Sequence, residues 1–250
     1  MADKRKRFFS GATVRRGAAQ QTRWEDAELL RGPTDTIWRA EDPWRVLRIQ
    51  SELVEGFETL QDLGPAVSLF GSARTSPDNP LFAIATEVGR LLAEMGVATI
   101  TGAGPGIMEA GNQGADEAGG VSVGLGIELP EEDSMNDFVN LGINFRYFFV
   151  RKVMFLKYAS GFIGFPGGFG TMDEIFETLT LAQTGKIAHY PIALIGSDYW
   201  GSLWEWVKNV CLEQGYISPD DVNLVHITDD AADAVQWATR LIRSRDNTKA

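Results

Sequence analysis

Six short apolar runs set the limits on what this chain can become: Ala66–Phe70, Val97–Thr101, Val121–Ile127, Gly161–Phe165, Pro191–Ile195 and Leu224–Thr228. Each is continuous rather than alternating, the pattern of strands buried on both faces in a parallel sheet. Segments of helical spacing lie between them. Asn79-Pro80 opens one, with Leu81, Ile84, Val88, Leu91, Leu92 and Met95 on a single face, and others are expected near 105–118, 170–184, 200–214 and 230–243. Strand and helix alternating in this way predict an α/β fold, a doubly wound, Rossmann-like parallel sheet in one domain over residues 41–250. A helix starting at Asp42-Pro43 should pack Val46, Ile49, Leu53, Phe57 and Leu60 on that body before Gly64-Pro65 ends it. Residues 1–40 show no sustained apolar period and read as a flexible basic extension.

Charge separates these two regions. Residues 1–23 hold seven Lys/Arg against one Asp, so in a chain of net charge −11 the remainder carries −17. So acidic a body makes a poor duplex-binding surface, and no nucleic-acid partner is expected. No stretch reaches the roughly 20 apolar residues of a membrane span. The basic run Lys4–Arg7 is followed only by Phe8 and Phe9, not by the apolar core of a secretion signal. The expectation is a soluble cytoplasmic protein with no membrane partner. With Cys211 the single cysteine and His189 and His226 the only histidines, no cluster has metal-ligand spacing, and no metal site is expected.

The chain has 27 glycines, above the usual share of about 7%, and three glycine-rich turns follow predicted strands. These are Gly71-Ser72-Ala73-Arg74, Gly102-Ala103-Gly104-Pro105-Gly106 and Pro166-Gly167-Gly168-Phe169-Gly170-Thr171. In an open parallel sheet all three lie at the carboxyl edge, where one ligand can meet them. The third is the most informative. Gly167, Gly168 and Gly170 permit positive φ and close backbone approach where a helix N-terminus offers unpaired N–H groups, an arrangement suited to phosphate. It is neither a Walker A loop nor G-x-G-x-x-G, which favours a phosphate monoester over ATP or NAD.

Thr171-Met172-Asp173-Glu174 can be a capping box, with Glu174 folded back on an N-cap Thr171. If a phosphate occupies those amides instead, Glu174 becomes a carboxylate beside the attached sugar. Such a pair of like charges costs about 4 kcal/mol at 4 Å and an effective dielectric near 20, so a cation must offset it. Arg151 and Lys152 sit together within the apolar stretch Phe148–Leu156. Buried charges are normally paired, and Arg151 suits a bidentate contact better. Ser72 has no histidine at a fitting position for serine-hydrolase chemistry, and His189 and His226 lie outside every glycine turn and read as structural.

Arg151-Lys152, followed by Pro166-Gly167-Gly168-Phe169-Gly170-Thr171-Met172-Asp173-Glu174, resembles the LOG (Lonely Guy) family, phosphoribohydrolases once described as lysine decarboxylases. Thr101–Ala110 with Glu128-Leu129-Pro130 is similar to that family's longer bacterial branch, and the resemblance covers about residues 65–228. It implies hydrolysis of the N-glycosidic bond of a nucleoside 5′-monophosphate, a cytokinin riboside 5′-monophosphate or AMP, to free base and ribose 5-phosphate. Arg151 and Glu174 would be the catalytic pair. Gly71, Ser72, Gly102, Gly104, Gly106, Met108, Glu109, Lys152, Gly167, Gly168, Gly170 and Thr171 would bind substrate. The resemblance further implies a homo-oligomer, dimer or hexamer, and no metal or organic cofactor. Ala103 departs from a second glycine in the family's turn, and its methyl would tighten the nucleotide pocket. A decarboxylase would need a lysine Schiff base with pyridoxal phosphate, and nothing beyond the presence of Lys152 marks one. The alternative is a binding protein, since similar folds carry nucleotide-like ligands such as molybdopterin without turning them over.

Overall fold

The predicted apolar runs form strands whose side chains divide between two layers of helix. The computed structural model describes residues 8–10, 13–15, 25–30, 42–128, 135–187 and 190–242. Its main sheet comprises β3 (Ala66–Phe70), β4 (Ala98–Thr101), β5 (Ser122–Ile127), β6 (Leu141–Phe145), β7 (Phe162–Gly164), β8 (Ile192–Ile195) and β9 (Val225–Thr228), and β1 (Phe8–Ser10) and β2 (Thr13–Arg15) pair separately. All seven strands of the main sheet are parallel, in the order β6-β5-β4-β3-β7-β8-β9. The chain builds outward from β3 to β6, then returns to the other flank of β3 for β7 to β9. The order reverses between β3 and β7, and open α/β sheets bind ligands in the crevice at such a reversal. Phe165 N donates to Phe70 O at 2.7 Å, carrying this pairing up to the crevice.

The helices are α1 (Glu25–Leu29), α2 (Asp42–Leu60), α3 (Pro80–Glu94), α4 (Ile107–Glu117), α5 (Phe148–Tyr158), α6 (Phe169–Gln183), α7 (Ser197–Trp206) and α8 (Ala231–Ala238), with a π-helical turn, Val207–Leu212, continuing α7. One core layer joins Phe70, Leu125, Phe145 and Phe162 to Leu60 of α2, Met154 and Phe155 of α5, Ile175 of α6 and Trp200 of α7. The opposite layer joins Val67, Leu69 and Ile163 to Phe82, Val88 and Leu92 of α3, Ile107 of α4 and Val235 of α8. This is the doubly wound arrangement. The start of α3 is fixed as its sequence requires: Asn79 Oδ1 accepts from Leu81 N at 2.9 Å, with Pro80 in the first turn.

Two differences from the sequence reading have physical causes. β6 carries only two buried side chains, Ile143 and Phe145, and is interrupted by glycine and asparagine, so as an edge strand it lacks a continuous apolar run. α2 does not turn its whole apolar face inward. It packs Ile49, Leu53 and Leu60 on the core and buries Arg45 and Glu52, while Val46 and Phe57 of the expected face stay exposed, as do Trp44, Leu47 and Val54. Glu52 is drawn in because it serves α5: its carboxylate accepts from Arg146 N at 3.2 Å and from Arg146 Nη1 at 2.9 Å. Tyr147, the N-cap of α5, gives no side-chain cap, and the amide of Phe148 is taken instead by Asp26 Oδ2 of α1 at 3.1 Å. A carboxylate from elsewhere in the chain, Asp26, therefore caps the helix that bears Arg151 and Lys152, while Glu52 fixes the residue just before its N-cap.

Candidate active site

The three glycine-rich turns interlock at the carboxyl edge. Ser72 N donates to Pro166 O at 3.0 Å, and Ile107 N donates to Ser72 O at 3.1 Å, so the first turn bridges the other two. Gly71 and Gly106 make this closeness possible. A Cβ on Gly71 would lie 2.6 Å from Ile107 Cγ2, and one on Gly106, where φ is +69°, would lie 2.5 Å from Ser72 O. A Cβ on Gly102 would press on Met108 Sδ at 2.8 Å and on the Arg151 guanidinium. Gly104 is buried, and Glu109 sits half-buried in the first turn of α4. The second turn is clamped by Asn136, a residue no motif marks. Its backbone N donates to Ala103 O at 2.8 Å, and its Nδ2 lies 3.1 Å from the carbonyl oxygens of Ala103 and Gly104 and 3.0 Å from Asn112 Oδ1.

Ala103 holds φ at +64°, the one described non-glycine residue with positive φ, at a cost of about 1–2 kcal/mol. Its methyl is buried rather than turned into a pocket. Gly124 of β5 leaves the room, since a Cβ there would lie 2.9 Å from that of Ala103.

At the third turn the helix begins earlier than a capping box at Thr171 requires. Gly168 is the N-cap of α6, with no side-chain cap, and Thr171 is already in the first turn. Met172 N is bonded back to Gly168 O at 3.0 Å, which leaves the amides of Phe169, Gly170 and Thr171 without an acceptor inside the helix. The glycines here supply clearance rather than the positive φ expected of them: Gly168 has φ −88°, and none of the three is among the positive-φ residues. A Cβ on Gly168 or Gly170 would meet no protein atom within 4 Å, so that mouth is open, whereas one on Gly167 would collide with the Thr171 side chain. Phe169, between them, is 96% exposed.

Glu174 lies one turn further along α6, only 7% exposed. Burial pushes its carboxyl up to about 7, against the pull of Lys152 first and Arg151 second. Sequence reasoning favoured Arg151 as its partner, but the nearer cation is Lys152, whose Nζ stands 3.7 Å from Glu174 Oε1. The same ammonium lies 2.7 Å from Asp173 and 2.6 Å from Glu177. Burial works against its charge, but the hydrogen bonds to Asp173 and Glu177 outweigh that and hold its pKa above the ordinary lysine value. Arg151 turns its Nη2 toward Gly102 O at 3.4 Å and stacks its guanidinium 5.2 Å from the Phe155 ring centroid. It links the helix to the second turn. The site thus unites the open mouth of α6, a buried carboxyl poised near neutrality and two cations.

Ser72 stays at the junction of the turns, its Oγ accepting from Arg74 N, whereas His226 falls outside the site. His226 pairs with Asp233 at 2.7 Å and stacks on Trp237, and His189, Leu129 and Pro130 lie outside the described residues.

A protein-family profile described as "Possible lysine decarboxylase" matches residues 108–237, just over half of the chain, including α5, the third turn and Glu174. The chain belongs to this family, the LOG family. Among curated relatives, the probable cytokinin riboside 5′-monophosphate phosphoribohydrolase LOGL5 of Oryza sativa subsp. japonica is 29% identical over 157 residues, 60% of this chain and 61% of that one. The corresponding Arabidopsis thaliana enzyme LOG3 is 40% identical over 70 residues, 28% of this chain and 32% of the relative. The chain therefore spans between about a third and three fifths of the length of these LOG-family relatives. The X-ray structure of TM1055 superposes with a TM-score of 0.52 and 26% identity, over 72% of this chain and 99% of that one. The molybdenum cofactor carrier protein of Chlamydomonas reinhardtii superposes equally well at 24% identity, over 72% and 98%, and shares the fold.

Proposed function

We propose that this LOG-family protein is a phosphoribohydrolase that cleaves the N-glycosidic bond of a nucleoside 5′-monophosphate, AMP or a cytokinin riboside 5′-monophosphate, giving free base and ribose 5-phosphate. The observation that carries this reading is the buried Glu174 carboxyl one turn inside the helix whose uncapped amides open at the Gly167-Gly168 turn. Those amides and the helix dipole suit a 5′-phosphate, and a bound phosphate brings C1′ of the sugar toward Glu174. As the C1′–N bond breaks, its electron pair leaves with the base and positive charge builds on the ribose. Ionised Glu174 stabilises that charge and accepts a proton from the water that bonds to C1′, while the base nitrogen takes up a proton. Lys152 and Arg151 keep the carboxylate and phosphate from repelling one another. Gly71, Ser72, Gly102, Gly104, Gly106, Met108 and Glu109 form the rest of the substrate cleft in this reading. No cofactor is required.

Incubation with AMP followed by chromatography tests it. Adenine is expected from AMP and very little from adenosine, which lacks the group the mouth of α6 grips. Intact AMP would favour a carrier of nucleotide-like ligands, and equal cleavage of adenosine would remove the phosphate site from the argument.

The same reading includes a homo-oligomer. Trp44, Leu47, Val54 and Phe57 of α2, Phe149 and Val153 of α5 and Phe176 of α6 are exposed large apolar side chains, on helices that include the two bearing the site residues, and exposed apolar surface of this extent usually marks an interface. Light scattering on the purified chain is expected to give at least a dimer mass. A nucleotide substrate and a lone free thiol, Cys211, agree with a cytoplasmic location.

A further inference from the structure

Beyond the residues named so far, the turn proposed to grip phosphate is held from the side by α7. Gly196 packs under Pro166, so closely that a Cβ on Gly196 would lie 3.0 Å from Pro166 Cγ. Three residues on, the Tyr199 hydroxyl donates to Gly167 O at 2.6 Å. The Tyr199 ring is fixed edge-on to Trp200, with centroids 4.7 Å apart, and Trp200 Nε1 in turn donates to Ile195 O at 3.1 Å. On the other side, Ser72 N holds the preceding carbonyl, that of Pro166, at 3.0 Å. Two successive carbonyls of the turn are thus pinned by two different elements.

The consequence follows from the planar trans peptide, in which N–H and C=O point in opposite directions. Holding Gly167 O against Tyr199 directs the N–H of Gly168 away from α7. Gly167 and Gly168 carry no side chains to resist rotation of that peptide plane; the flanking carbonyls of Pro166 and Gly168 are bonded elsewhere, and the hydroxyl is the contact made to the plane between them. We infer that Tyr199 is a positioning residue for 5′-phosphate recognition, setting the Gly168 amide for the phosphate through its hydrogen bond to Gly167 O. This inference rests on the hydrolase reading above, but its mechanical content concerns phosphate binding and can be measured without turnover.

The test is Tyr199→Phe, which removes only the hydroxyl and keeps the ring on Trp200. The affinity for ribose 5-phosphate, by calorimetry, and the KM for AMP are both expected to weaken about fivefold to tenfold, the effect of one lost hydrogen bond. The value of kcat for AMP and the slow cleavage of adenosine are expected to stay within about twofold, because the lost bond weakens bound AMP and its transition state alike and adenosine carries no phosphate. A merely structural role would lower AMP and adenosine cleavage together. That result, unchanged affinity for ribose 5-phosphate, or a fall in kcat at constant KM would each overturn the inference. Failure of the hydrolase reading looks different: the wild-type chain would leave AMP intact, and the two ribose 5-phosphate affinities would still decide the role of Tyr199. Absence of ribose 5-phosphate binding to the wild-type chain would overturn both.

Discussion

Glu174→Gln is expected to slow release of base from AMP by about a thousandfold or more while ribose 5-phosphate still binds. Loss of a positioned acid–base group alone costs about 10²–10⁴, and the amide also removes the negative charge set against the oxocarbenium-like sugar. Turnover within about tenfold of the parent chain would show that another group does this chemistry. The same substitution is expected to stabilise the fold in mild alkali. Burial raises the Glu174 carboxyl from 4.5 to about 7, so its contribution to stability is complete below pH 4.5 and is lost as pH rises through 7. The loss amounts to about 3 kcal/mol. Denaturant unfolding at pH 8 is therefore expected to show the inactive variant more stable than the parent, with the difference vanishing near pH 4. For the parent chain, kcat/KM is expected to rise with pH through about 7 as Glu174 ionises. Lys152→Met, which removes the nearest cation, is expected to move that limb to higher pH.

Gly114→Leu is expected to cost about 4 kcal/mol or more, read as a fall in the urea midpoint. α3 and α4 approach so closely that a Cβ on Gly114 would fall on the carbonyl oxygen of Thr86 and 2.9 Å from Arg90 N, and one on Gly89 would fall on the carbonyl of Gly111. The obstacles are backbone atoms, which no change of rotamer can move. The two helices would have to separate, and α4 would carry the second glycine turn with it, because Gly106 is its N-cap. A parent-like midpoint would show that the helix pair slides apart without penalty.

The strands were legible because burial on both faces leaves an uninterrupted apolar run, and β6 was not because an edge strand needs no such run. The inward face of α2 agrees with its apolar spacing at Ile49, Leu53 and Leu60 but not at Val46 and Phe57, for a different reason. Periodicity counts apolar side chains but does not say what covers them, and the buried Glu52 answers to Arg146, 94 residues further along the chain. Glu174 could be singled out because a glycine turn and a carboxylate one helical turn later form a local pattern. Which of two adjacent cations faces it could not: Arg151 and Lys152 are about 100° apart around α5, and only the packing of α5 beside α6 selects Lys152. Tyr199 reaches one backbone carbonyl and Asn136 those of Ala103 and Gly104, contacts that leave no spacing to read.

The helix that brings Arg151 and Lys152 to the cleft takes its cap from Asp26, and the residue before its N-cap is held by Glu52, 122 and 94 residues earlier than the amides they bond. A chain emerging in order makes both acids long before it makes the helix they hold, so the start of α5 depends on two segments that precede the whole main sheet. A chain shortened to begin at β3 would lack both acids, and the amides of Arg146 and Phe148 at the start of α5 would lose the acceptors they have here.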